Sequence, residues 1–114
     1  MKKALSIVGA LALALTPAAS FACNLRGVNL SGQVLVRRNF SGCDLRGANL
    51  SGANLSGTDL SGAILSTADL RGANLTNAAL TFANLSGVRA TNLRGCPSSL
   101  PNGWVCENNS LIQR

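Results

Sequence analysis

From Cys23 to Gly87 the chain repeats every five residues, and this period constrains the fold more than any other feature of the sequence. Each block of five contains one large residue, here called the hub, and the spacing of the hubs never slips. Self-similarity at a fixed short period is typical of a repeat architecture. The hubs are Leu25, Leu30, Leu35, Phe40, Leu45, Leu50, Leu55, Leu60, Leu65, Leu70, Leu75, Leu80 and Leu85.

The other positions of each block are regular as well. The residue two before the hub, the small slot, is mostly Ala, as at Ala48 and Ala53. The residue directly before the hub, the outer position, is mostly Asn or Asp. The first and second corner positions follow the hub and are mostly Ser, Thr or Arg and then Gly. A disordered tract would lack a large apolar residue at every fifth position, so the pattern argues against disorder.

A period of five matches neither an α-helix nor an uninterrupted strand, whose side chains repeat at about 3.6 and about 2 residues. It matches a short extended piece that ends in a turn. In the extended piece the hub and the small slot point the same way, because side chains alternate along a strand. Glycine at the second corner position permits the backbone angles that the turn needs. Four such turns would close a coil of about twenty residues, with successive coils about 4.8 Å apart.

These blocks resemble the pentapeptide-repeat family, whose pattern is A(D/N)LXX. The blocks ANLSG at 48–52 and 53–57 follow that pattern in full, and the resemblance covers the thirteen blocks from Cys23 to Gly87. The resemblance implies an all-β fold, a right-handed quadrilateral β-helix, here of about three coils. The handedness and the four sides are implications of the resemblance alone.

Residues 1–22 are predicted to be a secretory signal peptide outside the fold. Two lysines precede an apolar run from Ala4 to Leu15, and the segment ends in the small residue Ala22. The apolar run is too short for a comfortable transmembrane span. We expect cleavage after Ala22 and export to the periplasm or the cell exterior. The alternative is lipid attachment at Cys23. The Leu that usually stands three residues before a lipidated Cys is absent, which argues against this alternative.

All four cysteines follow the predicted signal peptide, which favours two disulfides in an exported chain. Cys23 and Cys43 are twenty residues apart and both occupy small slots. In a twenty-residue coil their Cα atoms would lie about 4.8 Å apart, within the range that a disulfide accepts. Cys96 and Cys106 are then expected to pair with each other. The alternative for Cys23 and Cys43 is that cysteine merely serves as a small residue.

The two blocks at 33–42 depart most from the repeat. Gln33 and Arg38 occupy small slots, and Val34 and Val36 are predicted to point outward. End coils of solenoids are commonly atypical, because they face water rather than a neighbouring coil. We favour an imperfect first coil, and a small association surface at the two valines is the alternative.

The register breaks after Gly87, so we predict a β-helix at 23–95 and a C-terminal cap at 96–114. The cap contains two prolines, a Pro-Asn-Gly turn and the only Trp of the chain, which indicates a compact structure. An alternative role for Trp104 is a platform on which a ligand stacks. The residues expected to cover the last coil are Leu100, Trp104, Val105, Leu111 and Ile112.

Without the two lysines of the predicted signal peptide, the chain has eight Arg and four acids, a net charge of about +4. Some members of the resembled family mimic the shape and negative charge of DNA and bind type II topoisomerases, and a basic exported chain argues against that activity. A basic surface also suits nucleic acid. However, export and the lack of interleaved aromatic residues for base stacking argue against a nucleic-acid partner.

The arginines of the repeat are expected to be partly clustered. Arg26, Arg46 and Arg71 are predicted to gather on one corner of the coil. Asp44 and Asp69 would lie nearby. Such a corner would at most make weak contact with anionic lipid head groups or acidic glycans.

The composition gives no support for catalysis. The chain has no His and no Tyr, and its serines occupy corner positions without a neighbouring base. The cysteines lack the spacing of zinc ligands, and the glycines are corner residues rather than a phosphate-binding loop. We therefore expect no catalytic, cofactor-binding or metal site.

Two functions of different classes fit these observations. The first is a structural or interaction module of the cell envelope, with a protein or glycan as its partner. The second is surface recognition, in which stacked Ser and Thr side chains meet an ordered lattice or anionic head groups. Mixing of Ser with Arg, Thr and Val along the coil weakens the second function. The sequence specifies neither the partner nor the oligomeric state.

Overall fold

The computed structural model describes residues 23–114, so the predicted signal peptide at 1–22 lies outside the described residues. Within 23–114 the secondary structure consists of β-bridges, strands and turns, without a helix. Two regular strands lie near the C-terminus, β1 at Trp104–Glu107 and β2 at Ser110–Gln113. Nothing in this part of the chain is a helix of the length and hydropathy needed to cross a bilayer.

One circuit of the coil takes twenty residues. Asn24 bridges Asp44 in parallel, and Asp44 in turn bridges Ile64. The Leu25 N–H donates to the Asp44 carbonyl at 2.8 Å, and the Asp44 N–H donates to the Cys23 carbonyl at 2.8 Å. Residues twenty apart therefore stack in a column. Three further ladders of the same kind start at Asn29, Val34 and Asn39.

Each corner of the coil is a tight turn. The hub carbonyl accepts a hydrogen bond from the N–H three residues later, as from Val28 to Leu25 at 3.2 Å. The second corner residue has a positive φ, +68° at Gly27, which defines a type II turn because the first corner residue does not. Such angles are uncommon for residues other than glycine. Four corners of the repeat nevertheless hold another residue there, with φ of 60–63°: Arg37, Thr67, Asn77 and Phe82.

The core consists of the hubs and the small slots, which alternate along every side of the coil. All thirteen hubs are at most 3% exposed, and the alanines from Ala48 to Ala78 are fully buried. Burying each leucine side chain contributes about 1.5–3 kcal/mol. Thr58 is the buried polar exception, and its hydroxyl donates to the Leu35 carbonyl at 2.7 Å. The core therefore leaves no side-chain hydrogen-bonding atom unsatisfied within 23–114.

The repeat continues further than the sequence pattern suggested. Ala90 is buried at the next hub position, and Leu93 is buried at the following small slot. Large and small residues thus exchange places, with Gly95 where a hub is expected. Asn74 forms a bridge with Gly95, so this circuit contains one residue more than the regular twenty. Ala79 forms a further bridge with Ser99. The register therefore shifts by one residue between Arg89 and Gly95, and the ladder continues past the boundary predicted at residue 95.

The C-terminal cap is built on an antiparallel hairpin of β1 and β2. Glu107 lies opposite Ser110, and the two residues between them, Asn108 and Asn109, both have positive φ. This is the type I′ turn that matches the twist of a two-stranded ribbon. Asn-Asn between two short apolar segments is a sequence signal for such a turn, and it is the feature from which the hairpin was predictable.

Two hydrogen bonds fasten the hairpin to the last coil. The Leu111 N–H donates to the Ala90 carbonyl at 3.0 Å, and the Leu93 N–H donates to the Asn109 carbonyl at 2.9 Å. Leu111 is buried, and Leu100 and Trp104 are partly buried against the core. Ile112 is 38% exposed, so the expectation that Ile112 covers the coil is wrong.

Candidate functional surface

The side chains at the outer position hold the corners of the coil. The Asn29 Oδ1 atom accepts hydrogen bonds from the Ser31 N–H at 3.1 Å and from the Ser31 hydroxyl at 2.7 Å. Asn49 and Ser51 repeat the arrangement in the next coil at 3.0 and 2.7 Å. An Asn side chain that bonds two residues ahead stabilises a local turn. The recurrence of Asn and Ser is therefore explained by the fold.

Asp44 is the most strongly perturbed acid. Arg46 donates from Nε to Oδ1 at 2.9 Å and from Nη2 to Oδ2 at 2.7 Å. Arg26 lies 3.9 Å from the same carboxylate. The Arg46 hydrogen bonds, helped by the charges of both arginines, lower the pKa of Asp44 from its ordinary 3.8 to about 2. A carboxyl with so low a pKa is ionised at neutral pH and cannot serve there as a general acid.

Asp69 and Asp59 are held in the same way. Arg71 donates to both carboxylate oxygens of Asp69, at 3.0 and 2.8 Å, and these bonds lower the pKa of Asp69. Asp59 accepts from the hydroxyl and the N–H of Ser61, which lowers the pKa of Asp59. Each acid thus stabilises its own corner. No group of three or more His, Cys, Asp or Glu within 23–114 is placed to hold a metal ion.

The three arginines predicted to share one corner lie in two columns. Arg46 stacks on Arg26, because the outer residues before them, Asn24 and Asp44, are bridged. Arg71 instead pairs with Asp69 on the next side of the coil. The expectation of a single basic corner is therefore wrong.

The structure contains two disulfides. Cys23 is joined to Cys43 with their Cα atoms 4.7 Å apart, which ties the first coil to the second. Cys96 is joined to Cys106 with their Cα atoms 6.0 Å apart, which ties the end of the ladder to β1. Closing loops of this size stabilises a fold by about 3 kcal/mol in chain-entropy terms. No free thiol remains within 23–114, so no cysteine there is available as a nucleophile.

Trp104 belongs to the cap rather than to an open platform. Its side chain is partly buried and packs against the core. Its backbone N–H donates to the Pro101 carbonyl at 3.2 Å, which closes the turn before β1. The geometry therefore favours a packing role over ligand stacking.

Around one corner of the first coil, exposed valines lie beside two arginines, of which Arg37 is exposed and Arg38 is partly buried. We call this surface the first-coil patch, and it consists of Val34, Val36, Arg37 and Arg38. Val34 is 70% exposed and Val36 is 38% exposed. Arg37 occupies a second corner position at φ +60°, and Arg38 occupies a small slot. Neither arginine forms a salt bridge within 23–114.

Phe82 is a further exposed apolar residue, and it was not among the predicted surface residues. It occupies a second corner position at φ +63°, where Gly42 and Gly62 stand in the same column, and its side chain is 85% exposed. The signal in the sequence is an aromatic residue at a position that otherwise prefers Gly. Phe82 is a single residue, so it marks no surface by itself.

Comparisons with known proteins identify the family to which the repeat belongs. The family of pentapeptide repeats matches in eight copies, over residues 23–62 and 53–89, which is more than half of the chain. No curated protein matches the chain.

Solved structures of pentapeptide repeat proteins are similar to this chain. One from Nostoc PCC 7120 is 33% identical with a TM-score of 0.68, and the match covers 89% of this chain and 87% of that one. Rfr23 from the cyanobacterium Cyanothece 51142 is 35% identical with a TM-score of 0.65, over 69% of this chain and 54% of that one. A protein of the Arabidopsis thaliana thylakoid lumen is 30% identical with a TM-score of 0.55, over 74% of this chain and 63% of that one. The chain thus spans about half the length of the Cyanothece protein.

Proposed function

Because the chain belongs to the pentapeptide-repeat family, we propose that it is an exported, non-catalytic module of the cell envelope. The module either has a structural role or mediates an interaction with a protein or glycan partner. The observation that carries the proposal is that the polar side chains of the coil are used to hold the coil itself. Asn29 is bonded to Ser31, Asp44 to Arg46 and Asp59 to Ser61. What such a coil offers a partner is a rigid, regular surface rather than a reactive group.

The proposal includes the finer architecture. We place a right-handed quadrilateral β-helix of about three coils at 23–95 and a cap at 96–114. Four ladders of parallel bridges support four sides. The bridge to Ser99 favours a cap that begins slightly later than residue 96.

Export rests on two features. The first 22 residues have the composition of a secretory signal peptide, and the two disulfides suit an oxidising compartment. A similar pentapeptide repeat protein comes from a thylakoid lumen. Because the Cys23 thiol is joined to Cys43, the proposal leaves Cys23 without a lipid.

Mimicry of DNA does not suit this chain. A DNA mimic needs regular negative charge, and three acids of the repeat are paired with Arg or Ser. The eight arginines give the chain after residue 22 a net charge of about +4. A partner with anionic groups is therefore favoured over a protein that binds DNA.

Surface recognition is the second candidate function. It is supported by stacked hydroxyl side chains such as Ser31 and Ser51, which stand in one column. Arg71 continues that column and interrupts the row of hydroxyls. The hydroxyls also donate to Asn side chains, which occupies them. A lattice-binding face would keep such groups turned to the solvent.

Affinity capture from a cell-envelope extract tests the two functions against each other. The bait is the purified chain with its disulfides formed, and the matched control is the same chain reduced and alkylated. We expect a stoichiometric protein or glycan that is captured by the oxidised chain alone. No partner together with adsorption to crystal faces or to anionic vesicles would instead favour surface recognition. Turnover of any envelope substrate by the pure chain would contradict a non-catalytic role.

A further inference from the structure

The pairing between coils shows which backbone groups an extra strand would meet. The Asn54 N–H donates to the Gln33 carbonyl at 2.8 Å, and the Asn54 carbonyl accepts from the Leu35 N–H at 2.8 Å. The Ser56 carbonyl accepts from the Arg37 N–H at 3.0 Å. Each side of a coil thus turns one donor and two acceptors toward the coil before it.

Val34 and Val36 hold the same positions one coil earlier. The N–H and carbonyl of Val34 and the carbonyl of Val36 are the groups that correspond to those of the second coil, and within 23–114 nothing pairs with them. This side of the first coil is therefore an open strand edge, the kind of edge that accepts an added strand. The disulfide between Cys23 and Cys43 fixes the first coil to the second, so the edge is held in place.

The side chains on this edge differ from those on the other sides of the first coil. Elsewhere an outer Asn bonds the N–H two residues ahead, as Asn29 does with Ser31 and Asn39 does with Ser41. Val34 has no such acceptor to offer. This side of the coil therefore lacks two local hydrogen bonds and exposes two valines. Neither change stabilises the fold, so the departure from the repeat calls for another explanation.

The charges on the same edge also depart from the repeat. Arg37 takes a left-handed backbone conformation at a corner where Gly42 and Gly32 serve elsewhere in the first coil. Residues 23–42 contain three Arg and no acid. The first coil is therefore basic, and two of its three arginines, Arg37 and Arg38, directly follow the exposed Val36.

We propose that the first-coil patch binds an extended acidic segment of a partner protein, which adds a strand to the open edge at Val34. Adding a strand to a sheet edge is a common mode of peptide recognition, with affinity from the main chain and specificity from side chains. Apolar side chains of the segment would pack beside Val34 and Val36, and its carboxylates would pair with Arg37 and Arg38. A second copy of this chain would bring the same arginines to the edge, and like charges repel across paired strands. The proposal rests on the interaction role proposed above.

A labelled peptide tests the site directly. The probe is a short peptide of alternating Val and Thr with Glu at both ends. Its controls are the same peptide with Lys at both ends and one with methylated backbone amides. We expect the oxidised full chain to bind the acidic peptide at least about tenfold more tightly than either control, the equivalent of about 1.4 kcal/mol. Amide exchange at Val34 should slow when the acidic peptide is bound. Equal binding of the three peptides would overturn the proposal.

The variant V34N/V36S separates binding from folding. At positions 34 and 36 it introduces the residue types that occupy the same column one coil later, Asn54 and Ser56. The variant should therefore melt at the same or a higher temperature than the parent chain. It should lose at least about tenfold in peptide affinity. The matched control, N54V/S56V, changes the same column where the edge is already paired, and it should keep the affinity. Unchanged binding by V34N/V36S would overturn the proposal.

Two other results would contradict the proposal that an acidic segment binds at Val34, while the proposed interaction role would still stand. One is an envelope partner whose capture V34N/V36S does not affect. The other is a dimer of the chain that V34N/V36S converts to a monomer in light scattering, which would assign the edge to a second copy.

Discussion

Leu45 and Leu65 lie in one inward column, because Asp44 and Ile64 are bridged in parallel and the Leu45 N–H donates to the Ile64 carbonyl at 2.8 Å. Both leucines are fully buried. Each circuit thus adds one leucine to the stack on that side, and a coil is stable only against its neighbours. Damage to one hub in the middle of the chain should therefore spread to the coils on both sides.

Leu55→Asp should prevent folding. Leu55 is fully buried among other hubs, and a carboxylate placed there has no partner to offset the loss of its hydration. The expected result is loss of the β-type circular dichroism signal and of resistance to protease. A soluble variant with an unchanged spectrum would contradict the inward placement of the hubs.

Ser56→Ala is the matched control, one residue further along the chain. Ser56 is partly exposed, and its hydroxyl donates to Asn54 at 3.0 Å. Loss of that hydrogen bond should lower the free energy of unfolding by about 0.5–1.5 kcal/mol. A loss of several kcal/mol in urea unfolding would mean that the corner positions are misassigned.

Gly57→Ala should destabilise the fold more than Gly27→Ala. Both glycines have φ of +68°, so an added Cβ strains the backbone equally, at about 1 kcal/mol or more. At Gly57 the new Cβ would also lie 3.2 Å from the Cγ atom of Arg37, whereas at Gly27 it would meet nothing within 4 Å. Urea unfolding of the two variants measures the difference. Equal losses would show that Arg37 does not lie over Gly57.

The fold should lose stability in acid, through its carboxylates. The pKa of Asp44 is lowered from 3.8 to about 2, chiefly by the hydrogen bond from Arg46. A carboxyl whose pKa is lower in the folded chain stabilises the fold above the unfolded pKa, and this contribution is lost as pH falls through the folded pKa. The melting temperature should therefore fall between pH about 4 and pH about 2.

Asp44→Asn isolates that contribution. The amide keeps an oxygen that accepts from the N–H two residues ahead, as Asn24 does in the same column, but it removes the ion pair. The variant should show a smaller fall in melting temperature over the same pH range. An identical fall would assign the acid sensitivity to Asp59 and Asp69 instead.

The parts of the fold that follow the local period were predictable from sequence. Ala48 and Leu50 are buried together as their positions predict, because side chains two apart along a strand point the same way. The continuation of the ladder beyond residue 95 was not predictable in this way, since Ala90 and Leu93 reverse the usual order of large and small residues. The burial of both residues in the structure shows that the coil accommodates the exchange.

The candidate surface was less predictable than the fold. Val34 and Val36 were recognised as outward residues, but the sequence favoured an imperfect end. The open backbone edge beside them becomes visible only when the pairing of Asn54 and Ser56 with the first coil is known.

Loss of the Cys96–Cys106 disulfide should loosen the cap without unfolding the coil. That bond holds β1 to the end of the ladder, and Trp104 in β1 packs against the core. In Cys96→Ser with Cys106→Ser we expect a red shift of the Trp fluorescence, with the β-type circular dichroism retained. Unchanged fluorescence would mean that the bonds from Leu111 and Leu93 hold the cap alone.

Peptide mass mapping of the unreduced protein tests the twenty-residue coil most directly. Cys23 and Cys43 lie one above the other only if a circuit takes twenty residues, and their Cα atoms are then 4.7 Å apart. We expect peptides that join Cys23 to Cys43 and Cys96 to Cys106. A peptide that joins Cys23 or Cys43 to either cysteine of the cap, or a lipid found on Cys23, would contradict it.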